Sequence, residues 1–250
     1  MTAEPARDLL IEGTWNTRVF GGSRPWLMRS ATLDDLTEHG RAALAQVGVT
    51  RVIDLREPAE RGIAGHKIAC AHVPVFTRGR EGDPFVTMEI SYRMMLESNG
   101  DQLVRAITYV AETDGVAAVH CALGKDRTGM VVALTLLAAG YSRDAIVEDY
   151  AQSARRQPTY LRRWTLERMA WAGVEAPTPA GREYLRCSLD SPPEVLSSAL
   201  DFLEVNGGWR AYLDAHGLSD AHVHALRAKA GTLEVRVVDV EPPRHAVVAA

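Results

Sequence analysis

The segment HCALGKDRTG, residues 120–129, constrains the fold of this chain more than any other stretch. It follows a short apolar run at 116–119, which is typical of a buried parallel strand. An apolar run at 130–139 comes after it, stops at Gly140 and favours a buried helix. The segment is therefore predicted to connect a strand to a helix. The helix would direct free N–H groups and the positive end of its dipole into this loop, an arrangement that binds anions.

Two side chains give this predicted anion site its chemistry. Cys121 and Arg127 lie six positions apart in the loop. A bound phosphate would meet backbone N–H groups and the guanidinium fork of Arg127, with the sulfur of Cys121 below it. The same positive field favours the thiolate, which is the reactive form of cysteine. The pattern predicts nucleophilic attack on phosphorus, and the predicted phosphate-binding residues are Ala122, Leu123, Gly124, Lys125, Asp126 and Arg127.

Other readings of the loop explain less of it. A nucleotide-binding loop of the form Gly-x4-Gly-Lys-Ser/Thr fails twice, because Val119 stands five residues before Gly124 and Asp126 follows the lysine. Rhodanese and arsenate-reductase loops also hold a cysteine in an anion cradle, but Lys-Asp-Arg-Thr-Gly is not their usual sequence. A buried, inert cysteine is common. It would not explain why a lysine, an aspartate and an arginine begin an otherwise apolar helix.

Composition limits the remaining function classes. The 250 residues fit one sizeable domain, and a net charge of −4 gives no general reason to expect nucleic-acid binding. No apolar run approaches the length of a membrane span, and residues 1–8 lack the pattern of a signal peptide. The widely spaced Cys70, Cys121 and Cys187 do not suggest disulfides, and a nucleophilic thiol prefers a reducing compartment. We expect a cytoplasmic protein, with signal-less secretion left open.

The loop resembles a known signature. Cys-x5-Arg followed by Thr-Gly is similar to the catalytic loop of the cysteine-dependent protein tyrosine phosphatase superfamily. The fuller form resembles a bacterial atypical group that acts on phosphotyrosine, sometimes on phosphoserine or phosphothreonine, and on phosphoinositides. Residues 54–60, DLREPAE, match that group's Asp-Leu-Arg-x3-Glu. Residues 16–22 lack the aspartate of its Asn-Phe-Arg-Asp-x-Gly-Gly, so no role is carried over to them. The resemblance covers most of residues 10–230.

The resemblance, together with the hydrophobic pattern, predicts an α/β fold with a central, largely parallel sheet, helices on both faces and a helical C-terminal extension. We expect a single phosphatase domain over 9–232, with its catalytic core at about 25–150 and its helical extension at about 151–232. Residues 233–250 are expected to form an extra strand or a flexible tail. Local patterns predict a helix over 34–46, strands at 51–56 and 71–75, and a helix capped by Ser142.

The expected reaction hydrolyses a phosphate monoester through a cysteinyl-phosphate, on a phosphorylated protein or a phosphoinositide. No metal or other cofactor is expected, because the arginine and the amides supply the positive field. His120 would orient the loop or tune the thiol, and Thr128 would donate a hydrogen bond to the thiolate. Lys125 would suit substrates with additional phosphates, or would pair with Asp126. Asp54 would line the site, or would pair with Arg56.

Two aspartates are candidates for the general acid. Asp126 lies in the loop, where nearby cations favour its ionised form, but an entering dianionic phosphate would raise its pKa. Asp83 lies in a predicted surface loop before the cysteine, where tyrosine phosphatases carry an acid. We favour Asp126. Two readings outside phosphatase catalysis stay open: a phospho-ligand binding module without turnover, and a thiol-redox enzyme in which Cys70 is the resolving partner.

Overall fold

The computed structural model describes residues 4–63, 65–76 and 86–232. Within these ranges six strands and ten α-helices follow one another along the chain. The strands are β1 (Arg7–Asp8), β2 (Arg18–Phe20), β3 (Leu27–Ser30), β4 (Val49–Asp54), β5 (Ala69–His72) and β6 (Val116–His120). The helices are α1 (Glu38–Val47), α2 (Met88–Ser98), α3 (Gly100–Glu112), α4 (Asp126–Ala138), α5 (Arg143–Ala151), α6 (Leu161–Trp171), α7 (Pro179–Leu189), α8 (Pro193–Val205), α9 (Gly208–Ala215) and α10 (Asp220–Ala230).

The strands form one mixed sheet in the order β1-β2-β3-β6-β4-β5. The β1-β2-β3 meander is antiparallel, whereas β3, β6, β4 and β5 run parallel to one another. In the register, Ser30 and Asp54 both lie opposite His120, one on each side of the central strand β6. The carboxyl ends of three parallel strands therefore meet where the loop after β6 begins, the usual position of a binding crevice in such sheets.

Hydrophobic cores lie on both faces of the sheet because successive residues of a strand point to opposite faces. Ala117 and Val119 of β6 join the larger core with α2, α3 and α4. Val116 and Ala118 join the smaller core, which contains Leu44 of α1. The predicted α/β fold, with a largely parallel centre and helices on both faces, is confirmed. The helical extension forms α6 to α10, and the predicted tail at 233–250 lies outside the described residues.

Individual elements agree with the local patterns to within a few residues. The predicted strand and buried helix around the loop form β6 and α4, and Gly140 adopts a positive φ of 87° just after α4. Helix α1 begins at Glu38 rather than at 34, because the Thr37 hydroxyl accepts a hydrogen bond from the Gly40 amide and caps it there. Strand β5 is at the sheet edge, and Ser142 caps α5 as expected. Within the described residues, no helix is both long and apolar enough to cross a bilayer.

Candidate active site

The candidate active site is the loop between β6 and α4, residues 121–125. Gly124 has a φ of 64°, and a Cβ atom added there would lie 2.3 Å from the carbonyl oxygen of Ser30. Glycine is the only residue that fits here, because every other residue disfavours a positive φ and carries a Cβ atom that would clash with Ser30. The loop thus turns tightly against the end of β3. The N-terminus of α4, with its positive dipole end, opens directly onto the loop.

Neighbouring groups hold the carbonyl oxygens of the loop. The amide of Thr32 donates to the Ala122 carbonyl (3.1 Å), and the Asn16 side-chain amide donates to those of Leu123 (3.1 Å) and Gly124 (2.9 Å). In a trans peptide the N–H points away from the C=O. Fixing the carbonyls on the outside of the loop therefore turns the amides that follow them toward its interior. This geometry gives the preorganised amide donors that an oxyanion requires.

Two buried arginines form a second layer of support behind the loop. Arg29 donates from Nη2 to the carbonyl of Gly124 (2.8 Å) and from Nη1 to Asp149 (2.6 Å). Arg18 donates from Nε to the other carboxylate oxygen of Asp149 (2.6 Å) and also bonds the Asn16 side chain. Burial alone would raise the pKa of Asp149, but the two arginines outweigh it and hold that pKa below its usual value. One carboxylate thus compensates both buried cations.

Sequence reasoning missed this support. Asn16 and Arg18 stand in the segment that lacks the family's aspartate, and they were given no role. Both side chains are almost fully buried, at 3% and 0% exposure. The only sequence signal for this support is chemical. Polar and charged residues within a short strand pattern are rarely buried without a partner, so their presence indicates that one exists. That signal does not identify a partner more than 100 positions away, such as Asp149.

Cys121 is the first residue of the loop and Arg127 lies in the first turn of α4, at 3% and 7% exposure. The two terminal nitrogens of Arg127 donate to the two carboxylate oxygens of Glu60, with a distance of 2.7 Å from Nη2. Burial by itself lowers the pKa of Arg127, but its hydrogen bonds to Glu60 and the nearby Cys121 raise it above its ordinary value. Arg127 is therefore a permanent cation, and a bidentate carboxylate fixes its orientation. Glu60 closes the DLREPAE motif, which was the signal that could have identified it.

Asp54 pairs with Arg56, one of the two alternatives left open by the sequence. Arg56 donates to both oxygens of Asp54, at 3.0 and 2.9 Å, and to both oxygens of Asp34, at 2.5 and 3.0 Å. Burial would raise the pKa of Asp54, but Arg56 and His120 lower it to about 2. The carboxylate lies 3.8 Å from Nε2 of His120. Asp54 thus stands next to the residue that precedes Cys121.

His120 is almost completely buried at the end of β6. Its Nδ1 lies 3.2 Å from the Cys121 carbonyl oxygen. Burial lowers the pKa of His120 to about 4, although Asp54 acts in the opposite direction. The imidazole is therefore neutral near pH 7. It acts as a fixed polar support for the loop rather than as a source of positive charge.

Lys125 is fully buried, with its ammonium group against the end of α7. Nζ donates to the carbonyl oxygens of Cys187 (2.7 Å) and Asp190 (2.6 Å). The same nitrogen lies 3.7 Å from a carboxylate oxygen of Asp126. The loop lysine thus joins the catalytic loop to the C-terminal end of a helix, where the dipole favours a cation. The Lys125–Asp126 proximity suggested by the sequence is present.

Asp126 is buried at the first position of α4, at 7% exposure. Its carboxylate accepts a hydrogen bond from the hydroxyl of Tyr92 (2.8 Å), which also contacts the hydroxyl of Tyr150 (2.8 Å). The two tyrosine rings pack edge to face. Two tyrosines therefore fix the position of this carboxylate beside the loop. Asp83, the other candidate acid, lies outside the described residues.

The hydroxyl of Thr128 is buried and has no hydrogen-bond partner in the described part of the chain. A buried hydroxyl without a partner is costly. A thiolate or a phosphate oxygen in the loop would satisfy it. With Cys121, Arg127 and the turned amides, this donor completes a site suited to covalent transfer of an anionic phosphoryl group.

Comparisons with known proteins agree with this chemistry. Residues 9–231 match the model of a tyrosine phosphatase family. The chain is 32% identical to the triple specificity protein phosphatase PtpB of Mycobacterium tuberculosis, over 87% of this chain and 96% of that protein. It is also 32% identical to a tyrosine-protein phosphatase of Nostoc commune, over 51% of this chain and 48% of the relative.

Proposed function

The chain belongs to the tyrosine phosphatase family and is a protein-tyrosine phosphatase, and we propose that it works through a cysteinyl-phosphate intermediate on Cys121. The observation that carries the proposal is a loop that holds the thiol, has its carbonyls fixed from outside and leads directly into the first turn of α4, where Arg127 lies. This arrangement supplies a nucleophile and positive donors to the same phosphate, without further assembly.

In the first step the thiolate of Cys121 attacks phosphorus, and the bond between phosphorus and the ester oxygen breaks. Arg127 and the loop amides stabilise the charge that spreads over the three equatorial oxygens. The leaving oxygen takes a proton from the carboxyl group of Asp126. The position of Asp126 supports this assignment, because the hydrogen bond from the Tyr92 hydroxyl to one of its carboxylate oxygens holds the carboxyl group beside the loop.

In the second step a water molecule attacks phosphorus, and the phosphorus–sulfur bond breaks. The Asp126 carboxylate accepts the proton of this water, and the thiolate is restored. The Thr128 hydroxyl donates to the departing thiolate, which gives this buried group its missing partner. Turnover requires a free thiol at Cys121, so we assign the activity to a reducing compartment such as the cytoplasm.

For the substrate range we propose phosphotyrosine proteins first, with phosphoserine, phosphothreonine and phosphoinositides in addition. The name of the mycobacterial relative, a triple specificity phosphatase, and the lysine in the loop support the wider range. A direct role of Lys125 in reading an additional phosphate requires its ammonium group to leave the carbonyls of Cys187 and Asp190. The alternative is that Lys125 acts on all substrates equally, by fixing the loop to α7.

The experiment measures phosphate release from phosphotyrosine peptides, phosphoserine peptides and a phosphoinositide panel. Cys121→Ser should abolish release from every substrate, by many orders of magnitude. The matched control is Cys70→Ser, at an exposed thiol, which should keep wild-type rates. Rapid quenching followed by mass spectrometry should locate a phosphoryl group on Cys121. Loss of activity in Cys70→Ser would instead favour the thiol-redox alternative.

Lys125→Met then separates the two roles of the lysine, since methionine keeps the length of the side chain without its charge. Loss of one charge-assisted contact is worth roughly 1.5–3 kcal/mol, or on the order of tenfold or more. A direct role predicts that this loss falls on phosphoinositides alone. Equal losses on peptides and lipids would assign Lys125 to loop support. Phosphoinositide hydrolysis no faster than that of Cys121→Ser would remove the lipids from the substrate range.

A further inference from the structure

The outer face of α6 exposes large apolar side chains that the catalytic site does not use. Tyr160, at the N-cap of this helix, is 53% exposed, and within the helix Trp164 is 47%, Leu166 is 38% and Trp171 is 92% exposed. Tryptophan is seldom left in water, because it is the side chain with the largest apolar surface. A contiguous set of such residues on a folded domain marks an interaction surface.

The spacing of these residues gives the face its shape. Trp164, Glu167, Arg168 and Trp171 follow the i, i+3, i+4, i+7 pattern of one side of a helix, and together they line a shallow groove. The guanidinium group of Arg168 lies over the ring of Trp164, 4.9 Å from its centre. The packed side of α6 is a different one, where Leu161, Thr165 and Met169 are buried. The exposed face of this helix is therefore aromatic and basic, whereas the exposed face of an ordinary amphipathic helix is polar.

The exposed charges of α6 sum to the opposite sign from the net charge of the whole protein. Helix α6 carries three exposed arginines and one glutamate, whereas the chain has a net charge of −4. Arg163 and Arg168 flank the tryptophan side of the helix, whereas Arg162 lies on the far side. The Arg163 side chain is 82% exposed and lies 3.6 Å from Glu167, also exposed, so this pair is weak in water. The face thus offers arginine cations next to tryptophan rings.

We propose that the outer face of α6 docks on the surface of an anionic phospholipid bilayer. Tryptophan and tyrosine prefer the boundary between headgroups and acyl chains, because one part of each ring is apolar and another is polar. Arginine forms two parallel hydrogen bonds to a phosphate, which suits the adjacent headgroups. A protein partner would need acidic residues and an apolar anchor at matching positions. An anionic bilayer presents negatively charged headgroups and apolar acyl chains over its whole surface.

The position of α6 connects this surface to the catalytic loop. Helix α6 packs on α7, and the C-terminal end of α7 accepts the hydrogen bonds of Lys125 through the carbonyls of Cys187 and Asp190. Docking would therefore hold the enzyme at a membrane by a helix that packs directly on α7, the element that contacts the loop. Membrane docking is separate from the proposed reaction, and its test does not require turnover. A negative result for docking therefore leaves the proposed reaction unaffected, and a failure of the proposed reaction leaves docking unaffected.

The test measures binding of the full chain to vesicles of phosphatidylcholine, with and without phosphatidylserine, by cosedimentation and tryptophan fluorescence. Wild type should bind the vesicles that contain phosphatidylserine, with a blue shift of its emission. Trp164→Ala/Trp171→Ala should weaken binding at least tenfold and remove most of the shift. Replacing Arg163 and Arg168 with glutamine should weaken it roughly 25-fold, at about fivefold for each, and should abolish the preference for phosphatidylserine.

The matched control is Val205→Ala, which shortens another exposed apolar side chain (86% exposed) outside α6 and should bind as wild type does. All variants should keep their circular dichroism spectra and their rates on a soluble phosphotyrosine peptide. The proposal is overturned if wild type stays in solution at low ionic strength, or if the double tryptophan variant binds equally well. It is also overturned if wild type does not bind vesicles but forms dimers that the tryptophan substitutions dissociate, since a second copy would then be the occupant.

Discussion

Replacing Asp149 with asparagine tests whether the buried arginine pair behind the catalytic loop depends on one negative charge. In the wild type, Arg18 and Arg29 each approach a different oxygen of Asp149 at 2.6 Å. The side chains of the three residues are 0%, 1% and 5% exposed. Asparagine has nearly the same shape, but it leaves two buried guanidinium groups without a counterion. Breaking a buried ion pair in this way costs about 3–5 kcal/mol.

This cost is a large part of the roughly 5–15 kcal/mol by which a domain is stable. We expect a clear fall in the urea midpoint of unfolding near pH 7. The pKa of Asp149 is lowered in the fold, so its contribution is fully present above the ordinary carboxylate pKa of about 3.9. It is lost as the pH falls through the folded pKa. The difference between wild type and variant should therefore stay constant near neutral pH and shrink only in strong acid.

Asp8→Asn is the matched control. Asp8 meets Arg156 at the same distance of 2.6 Å, but the two side chains are 62% and 20% exposed. An ion pair in contact with water contributes about 0–1 kcal/mol. If Asp149→Asn costs no more than Asp8→Asn, the reasoning from burial is refuted. A second readout is vanadate affinity, which should fall in Asp149→Asn alone, because Arg29 holds the Gly124 carbonyl.

The remaining predictions concern the loop and its supports. Gly124→Ala should reduce turnover and vanadate affinity by more than tenfold, because the new Cβ atom would lie 2.3 Å from a carbonyl oxygen of β3. Gly173→Ala is the control, since Gly173 has a similar φ and a Cβ atom there would have nothing within 4 Å. This control should cost only about 1–2 kcal/mol of stability and leave turnover unchanged. Burial lowers the pKa of His120 from 6.5 to about 4. Between pH 6.5 and pH 4 this histidine is therefore protonated in the unfolded chain but neutral in the folded one. The free energy of unfolding should fall as the pH decreases through this range. His120→Asn should flatten that part of the urea profile, whereas substitution of the exposed His39 should not. Glu60→Gln should lower kcat/KM by roughly 10- to 100-fold for all substrates, through a less fixed loop arginine; a change confined to one substrate class would contradict this role.

The sequence determined the parts of the protein that depend on neighbouring residues. The apolar runs at 116–119 and 130–139 specify a buried strand and a buried helix, and the ten residues between them specify an anion-binding connection. The spacing of Cys121 and Arg127 predicted an anion site with a nucleophile, because both residues belong to one strand-to-helix connection. Gly140 and Ser142 marked a helix end and a helix start for the same local reason.

Only the tertiary structure decided which distant groups support the loop. Asn16 reaches the Gly124 carbonyl across 108 positions, and Arg18 reaches Asp149 across 131. Lys125 donates to carbonyls 62 and 65 positions away, contacts that no local pattern indicates. A local pattern specifies dihedral angles and buried faces, but partners at such separations are set by strand order and helix packing. The physical reason is that a buried charge must find a counterion wherever the fold supplies one.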